Sequence, residues 1–479
     1  MGRAGVKPSA IILGAGMSGL AAAWGLAEAG CQVTLIEAED RVGGLAGSHF
    51  SRGYTFDFGP HSFYSRDPAV FDRVKGLLGD DLLEYGRLYG GKKIVFRGRT
   101  LDYPLSVASA AANLPPTVLL RCAADYMVSA MRRALTHPPA DNFRDWIILH
   151  FGKGLYNNFF GPFSRKTWGV PPETLAANFA SERIPRISPW RLFSSLFRRP
   201  VKPGNEGGPL QGQDGAVKIH YPRKGYWQIS HAVAERIRSA GGRIHLGSRV
   251  KELTTSGTHV QSVLFENDHG EARAEADWVI STIPVPELTR ALPGLDPEIR
   301  RAGEGLVYRG LSLLFLEVAR PEVLGTRVVY FHDPEILFQR GSEVRYLSSE
   351  MVPGTGRTGL TLEITDSGGM SDEEILGASV RGLEQLGLLD AWEVENHSIV
   401  HRRYCYPVYT VGYQERLRRY LEGMSSYLNL LHCGRQALFR YVDVYQCLQM
   451  GQATAESILD GTAPGEMSGI VSSWGDVKN

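Results

Sequence analysis

Cysteine is scarce in this chain: five in 479 residues, at Cys31, Cys122, Cys405, Cys433 and Cys447. No two have CxxC spacing and no histidines cluster beside them. Neither a disulfide framework nor a metal site is therefore expected, and a reducing, cytoplasmic setting fits best. Long apolar runs are missing too. No stretch reaches the roughly 18 residues a membrane span needs. The first apolar run, Ala10–Leu13, is too short for a secretory signal and leads straight into glycines. An excess of either charge is absent: the formal net charge is +1, which leaves no electrostatic case for nucleic acid. Hydrophobic content of 43% and charged content of 22% are ordinary for a globular protein, so disorder is not the default.

What is present begins with a strand, turn, helix, strand pattern over Ser9–Glu39. A β-rich run (Ile11, Ile12, Leu13) leads into Gly14, Gly16 and Gly19, spaced as GxGxxG. These open an Ala/Leu-rich helix over Leu20–Ala29, and a second strand, Gln32–Ile36, ends at Glu37. Gly14 permits the tight turn, Gly16 lets the backbone approach a pyrophosphate, and Gly19 lets helix and strand pack closely. The helix N-terminus, with Ser18 in its first turn, offers free N–H groups and a positive dipole end to phosphates. Glu37 is placed to accept hydrogen bonds from ribose hydroxyls. An acid there disfavours a 2′-phosphate, so NADP is a poor fit.

Periodicity predicts helix within Ser106–Leu155, at Ile229–Ala240 and at Asp372–Leu386. It predicts strand at Arg243–Leu246, strand–turn–strand at Val250–Glu266, a buried strand at Asp277–Thr282 and β alternation over 307–350. Gly204–Gly215 holds five glycines and reads as a mobile loop. Residues 189–202 place Trp190, Leu192, Phe193, Leu196 and Phe197 beside Arg191, Arg198, Arg199 and Lys202. They read as a helix packed on its own domain, with weak membrane-surface contact as the alternative.

The run Asp40-Arg41-Val42-Gly43-Gly44 follows the ribose acid directly. It resembles the second glycine motif of the FAD family that holds amine oxidases, protoporphyrinogen oxidase, phytoene desaturases and UDP-galactopyranose mutase. The resemblance implies that Arg41, Gly43 and Gly44 run beside the ribose and pyrophosphate of FAD. Gly434-Arg435, followed by Ala453–Glu456, resembles the family's C-terminal element, whose backbone reaches the FAD phosphate and ribityl chain. Val250 matches the position that contacts the adenine, and Asp277–Pro284 the strand returning to the FAD domain. The implied fold is α/β: a Rossmann-type FAD-binding domain from residues 1–105, 221–290 and 401–479. Residues 106–220 and 291–400 would form an interleaved α+β substrate domain.

Other segments resemble UDP-galactopyranose mutase more closely. They are Gly59-Pro60-His61-Ser62-Phe63, the stretch Phe163–Gly169, and Tyr406-Pro407-Val408 with Phe439-Arg440-Tyr441-Val442-Asp443. By that resemblance His61 approaches the flavin ring, Trp168 lines the substrate cleft and Arg435 lies near the FAD diphosphate. Tyr441 faces the substrate phosphates, and Arg440 and Arg165 are candidates to neutralise them. Cys405-Tyr406 also resembles the pair that tethers FAD covalently in monoamine oxidases, but the YPV match explains that stretch better. The pattern departs from the mutases because their diphosphate-binding arginines in the substrate domain have no clear match. It departs from the amine oxidases because Tyr308–Glu317 has no lysine. The reading is an FAD-dependent oxidoreductase in which flavin N5 accepts a hydride from a small molecule, a sugar or nucleotide sugar being within scope. The alternative is a non-redox, flavin-dependent nucleotide-sugar mutase. A flavin-bearing binding or regulatory protein is the third reading, and the aromatic cleft segment and the intact flavin loops argue against it. Oligomeric state is left open.

Overall fold

The aliphatic run Ile11–Leu13 is buried on both faces, which is the pattern of a central parallel strand. In the computed structural model it is one. The structure describes residues 7–85, 91–103, 115–136, 139–184, 218–365 and 367–462. The stretches 189–202 and 204–215 lie outside the described residues. Ser9–Leu13 pairs in parallel with Gln32–Ile36 on one side and Trp278–Ser281 on the other. Arg243–His245 and Leu430–His432 complete a five-stranded parallel sheet. Segments far apart in sequence thus meet side by side in one layer. The helix Met17–Glu28 crosses between the first two strands and packs against the helix Val444–Leu459. A Cβ on Gly451 would lie 2.3 Å from Ser18 O, so the two helix backbones nearly touch.

A second, seven-stranded sheet is mostly antiparallel. Its order is Val394–Pro407, Tyr308–Val318, Thr358–Ile364, Arg340–Glu343, Val328–Phe331, Lys92–Phe96, Arg99–Tyr103. Its long strand Tyr308–Val318, second from one edge, is buried on both faces from Leu311 onward. Leu311, Leu313 and Phe315 join the core shared with the first helix. Leu314, Leu316 and Val318 pack with Ile375 and Leu383 of the helix Asp372–Gln385, which Ser371 and Glu374 open with a capping box. Two of the expected boundaries need correction. Strands 92–103 and residues 401–407 hydrogen-bond into this sheet, not the parallel one, because their partners are Val328–Phe331 and Tyr308–Val318. A helical layer holds Pro116–Thr136, Phe143–Leu155 and Gly161–Trp168. Among the described residues no helix is long and apolar enough to cross a membrane.

Candidate functional site

The glycine turn after Ser9–Leu13 is set by close packing. A Cβ on Gly19 would fall 2.0 Å from Gly14 O, and one on Gly14 2.7 Å from Thr282 Oγ1. Gly16, by contrast, has nothing within 4 Å of where a Cβ would stand, so its face of the turn is open. It begins the first helix, which has no side-chain cap and no acid in its first turn. A backbone bridge joins Gly16 to Gly43, and Gly43 N–H donates to Ala15 O at 2.9 Å. Gly434 closes the ring from the far end of the chain. Its φ is +86°, and a Cβ there would sit 2.2 Å from Ser18 Oγ. The donors and open face suit a diphosphate at the helix N-terminus.

Glu37 is buried beside this turn. Its carboxylate accepts from Ala15 N–H at 2.6 Å and Glu39 N–H at 2.9 Å. Burial raises its pKa, and these two donors pull it back. Lone pairs remain for hydroxyl donors. Its own carbonyl accepts from Ser248 N–H at 2.7 Å, two residues before the half-buried Val250. Arg41 makes its protein contacts within its own loop. It forks onto Asp40 at 2.7 and 3.1 Å and donates to Ser48 O at 3.1 Å.

Arg435 carries the cradle into a second cluster. Its Nη2 donates to Cys405 O at 2.9 Å and its Nη1 to Val442 O at 3.2 Å. The guanidinium lies 4.2 Å from the Tyr441 ring centroid. Its buried Nε has no hydrogen-bond partner among the described residues. Tyr441 stacks on Tyr406 at 5.6 Å, and Tyr406 meets the Trp168 edge at 5.7 Å. Trp168 also packs against Phe179 at 4.5 Å. Arg340 grips Glu363 through two 2.6 Å bonds and donates to Tyr406 Oη at 3.3 Å. Burial opposes the charge on Arg340, but Glu363 outweighs it and holds the pKa well above the usual arginine range. Burial likewise raises the Tyr406 phenol, so it stays protonated.

His61 lies at the same place. A Cβ on Gly59 would be 3.8 Å from His61 Nε2, 3.8 Å from Arg340 Nη2 and 3.6 Å from Glu363 Oε1. His61 Nε2 is 2.9 Å from Leu45 O, so it carries the proton, and Nδ1 is left as an acceptor. Burial pushes its pKa down to about 4, so the ring is neutral at pH 7. The structure therefore gathers His61, Trp168, Tyr441 and Arg435. Arg440 precedes Tyr441 and is held through its backbone, its N–H closing on Arg435 O at 2.9 Å. Cys405 is a buried thiol, its pKa pushed up to about 12 by burial, which suits a structural residue better than a linkage.

Sequence reasoning missed Arg340, Glu363 and Arg309. Arg340 stands opposite Glu363 in the strand register, and Arg309 opposite Tyr406. Arg309 also packs flat on Gly169, where a Cβ would lie 2.2 Å from its Cζ. No local motif marks such cross-strand pairs. A Ser312–His401–Asp372 row, with 2.9 Å contacts to both ring nitrogens, also appears. Its aspartate begins a helix whose first turn holds three acids, which repel an oxyanion, so the row ties helix to sheet. Among the described residues no group of three metal-ligating side chains forms.

The profile of the family described as flavin containing amine oxidoreductase matches residues 17–459. The chain belongs to that family. It is 23% identical over 297 residues to the chloroplastic protoporphyrinogen oxidase of Oryza sativa subsp. japonica, covering 58% of this chain and 53% of that protein. It thus spans about half the length of that relative. It is 22% identical over 487 residues to coproporphyrinogen III oxidase of Bacillus subtilis, covering 95% of this chain and 98% of that one. The fold matches reduced UDP-galactopyranose mutase with a TM-score of 0.80 at 22% identity, over 96% and 98% of the two chains.

Proposed function

We propose that this flavoenzyme-family member binds FAD and acts as an oxidoreductase on a small anionic substrate, a sugar or nucleotide sugar being the class that fits. One observation carries the reading. Gly434 touches Ser18 of the nucleotide helix, and its neighbour Arg435 stacks on Tyr441 of the aromatic–arginine cluster. Cofactor cradle and cleft are thereby one continuous site. In this reading the helix N-terminus at Gly16–Ser18 and the Gly43–Gly44 loop hold the diphosphate, and Glu37 takes the ribose hydroxyls. FAD supplies hydride acceptance when bound. The chain's own residues bind, orient and exclude water. Trp168, Tyr406 and Tyr441 give stacking walls for a ring. Glu363 orients Arg340 and leaves its Nη1 outside the pair for an anionic group. Neutral His61 keeps an acceptor nitrogen beside Arg340.

A mutase reading draws support from the 0.80 TM-score and the Gly59–Phe63, Phe163–Gly169 and Tyr406–Val408 segments. In it Arg340, Arg435 and Tyr441 would neutralise a leaving diphosphate. Anaerobic mixing with a panel of sugars and nucleotide sugars separates the two. Bleaching of the oxidised flavin band is the expected result. Isomerisation of UDP-galactopyranose by reduced enzyme alone, without net electron transfer, would establish the second reading instead. Neither bleaching nor isomerisation across the panel would overturn the sugar class.

A further inference from the structure

We propose that Arg327 anchors a buried oxyanion site, for a carboxylate or a phosphate, beside the arginine–aromatic cleft and separate from Arg340. The proposal does not depend on which reaction the cleft performs. Arg327 stands just before the strand Val328–Phe331 and is 8% exposed. Its Nε is sealed from solvent with no hydrogen-bond partner, and among the described residues its guanidinium enters no ion pair. The groups near enough to act on its charge are three tyrosines, Tyr85, Tyr221 and Tyr330, and no carboxylate is among them. A guanidinium keeps its proton at any ordinary pH. Burial therefore leaves a cation here that no described group of the chain neutralises, whereas buried charges are ordinarily paired.

The neighbouring carboxylates are committed elsewhere. Glu343 N–H donates to Arg327 O at 3.2 Å. The Glu343 side chain, however, turns to Val323 N–H at 2.9 Å, Leu324 N–H at 2.8 Å and Thr358 Oγ1 at 2.9 Å. Asp57 accepts from the Tyr221 hydroxyl, from Ser48 Oγ at 2.5 Å and from Tyr226 N–H at 3.0 Å. These bonds also fix the backbone at Arg327. Glu343 pins the turn before it, and the Thr326 hydroxyl bonds Gly91 O. The anion has to come to the arginine.

Arg340 supplies the contrast. It stands opposite Tyr330 in the strand register and is neutralised by Glu363. Arg327 lies three residues before Tyr330, about 10 Å along the same strand, with no such partner. A water molecule there would satisfy hydrogen bonds and leave the charge. An oxyanion does both, and the planar fork of donors matches two of its oxygens. Tyrosine rings around the guanidinium exclude water, which strengthens the contact. Two sources share this chemistry. One is a free inorganic anion, and the other is an anionic group carried on the substrate while the rest of it lies in the cleft.

The test is thermal melting and calorimetric titration of the flavin-reconstituted full chain with inorganic phosphate, against chloride at equal ionic strength. Phosphate should raise the melting temperature of the parent chain. Arg327→Met should weaken phosphate binding by at least about tenfold. In chloride it should melt no lower than the parent, because an apolar side chain replaces an unpaired buried charge. Arg327→Lys keeps the charge without the fork and should lose less. Arg340→Met with Glu363→Leu should keep the phosphate response. Galactose 1-phosphate then separates the sources. Binding tighter than that of inorganic phosphate, and lost in Arg327→Met, assigns the site to a substrate-borne group; binding no tighter assigns it to the free anion. No phosphate effect in the parent chain would overturn the proposal, as would an equal effect in Arg327→Met. So would a large fall in the melting temperature of Arg327→Met in chloride, which would show that the chain itself already pairs the charge.

Discussion

The glycine-turn half and the arginine–aromatic half of this molecule are built by different means. Around Gly14–Gly19, Gly43–Gly44 and Gly434, backbone meets backbone, and the space that excludes a Cβ is what shapes the cradle. Around Tyr406, side chains from separate strands and helix ends converge, and register places the strand residues: Arg340 opposite Glu363, Arg309 opposite Tyr406. A site made of backbone demands particular residues at fixed local spacing. A site made of side chains demands only that distant strands align. The first tolerates almost no added volume, and the second tolerates volume but not an orphaned charge.

The sharpest way to break the comparison is to add one methyl group to the cradle. Alanine for glycine in a helix normally stabilises by about 1 kcal/mol. Gly19→Ala should do the reverse, because its Cβ would meet Gly14 O at 2.0 Å. We expect a loss above about 4 kcal/mol in calorimetry, with flavin occupancy collapsing. A stabilised variant that retains flavin would contradict the packing argument.

In the cleft, Arg340→Met should cost roughly 3–5 kcal/mol by leaving buried Glu363 unpaired. Adding Glu363→Leu should restore most of that stability, since an apolar pair of similar volume replaces the ion pair. Substrate affinity should stay lost in both. Recovery of affinity along with stability would show that Arg340 is purely structural.

Glu37→Ala separates the halves. It should weaken FAD binding by about 1–3 kcal/mol, measured by titrating apoprotein, and leave the cleft's substrate contacts unaltered. Unchanged FAD affinity would mean that the adenosine is held elsewhere.

A pH-dependent effect belongs to His61. Its folded pKa of about 4 lies below the usual 6.5. Between those values the unfolded chain takes up a proton that the folded chain refuses. Stability should therefore fall as pH drops from about 6.5 to 4, by at most ~1.4 kcal/mol per pH unit from this group. His61→Asn should lessen the slope of that limb in denaturant melts at pH 4.5 and 7, with buried His332 and His432 supplying part of what remains. Identical slopes would place the histidine in water.

The same contrast explains what was legible in the sequence. The parallel sheet and its family were readable because GxGxxG, Glu37 and the Gly43–Gly44 loop are local consequences of backbone crowding. Trp168 and Tyr406 were noticed through short segments that carry their own aromatic pattern. Arg340 and Glu363 were not, because each is an unremarkable charge on its own strand, and only the antiparallel register joins them. The boundaries near 105 and 400 went astray for a similar reason. Strands 92–103 and 401–407 alternate like any others, and pairing alone assigns them to the second sheet.

The central claim is that the glycine cradle and the arginine–aromatic cleft form one FAD site. The most direct measurement is acid precipitation of the purified, flavin-reconstituted chain, with mass analysis of the released cofactor. Intact FAD in the supernatant at one per chain, lost in Gly19→Ala and retained in Arg340→Met/Glu363→Leu, is the predicted result. A chain that takes up no FAD, or whose flavin stays with the precipitate, would contradict the account.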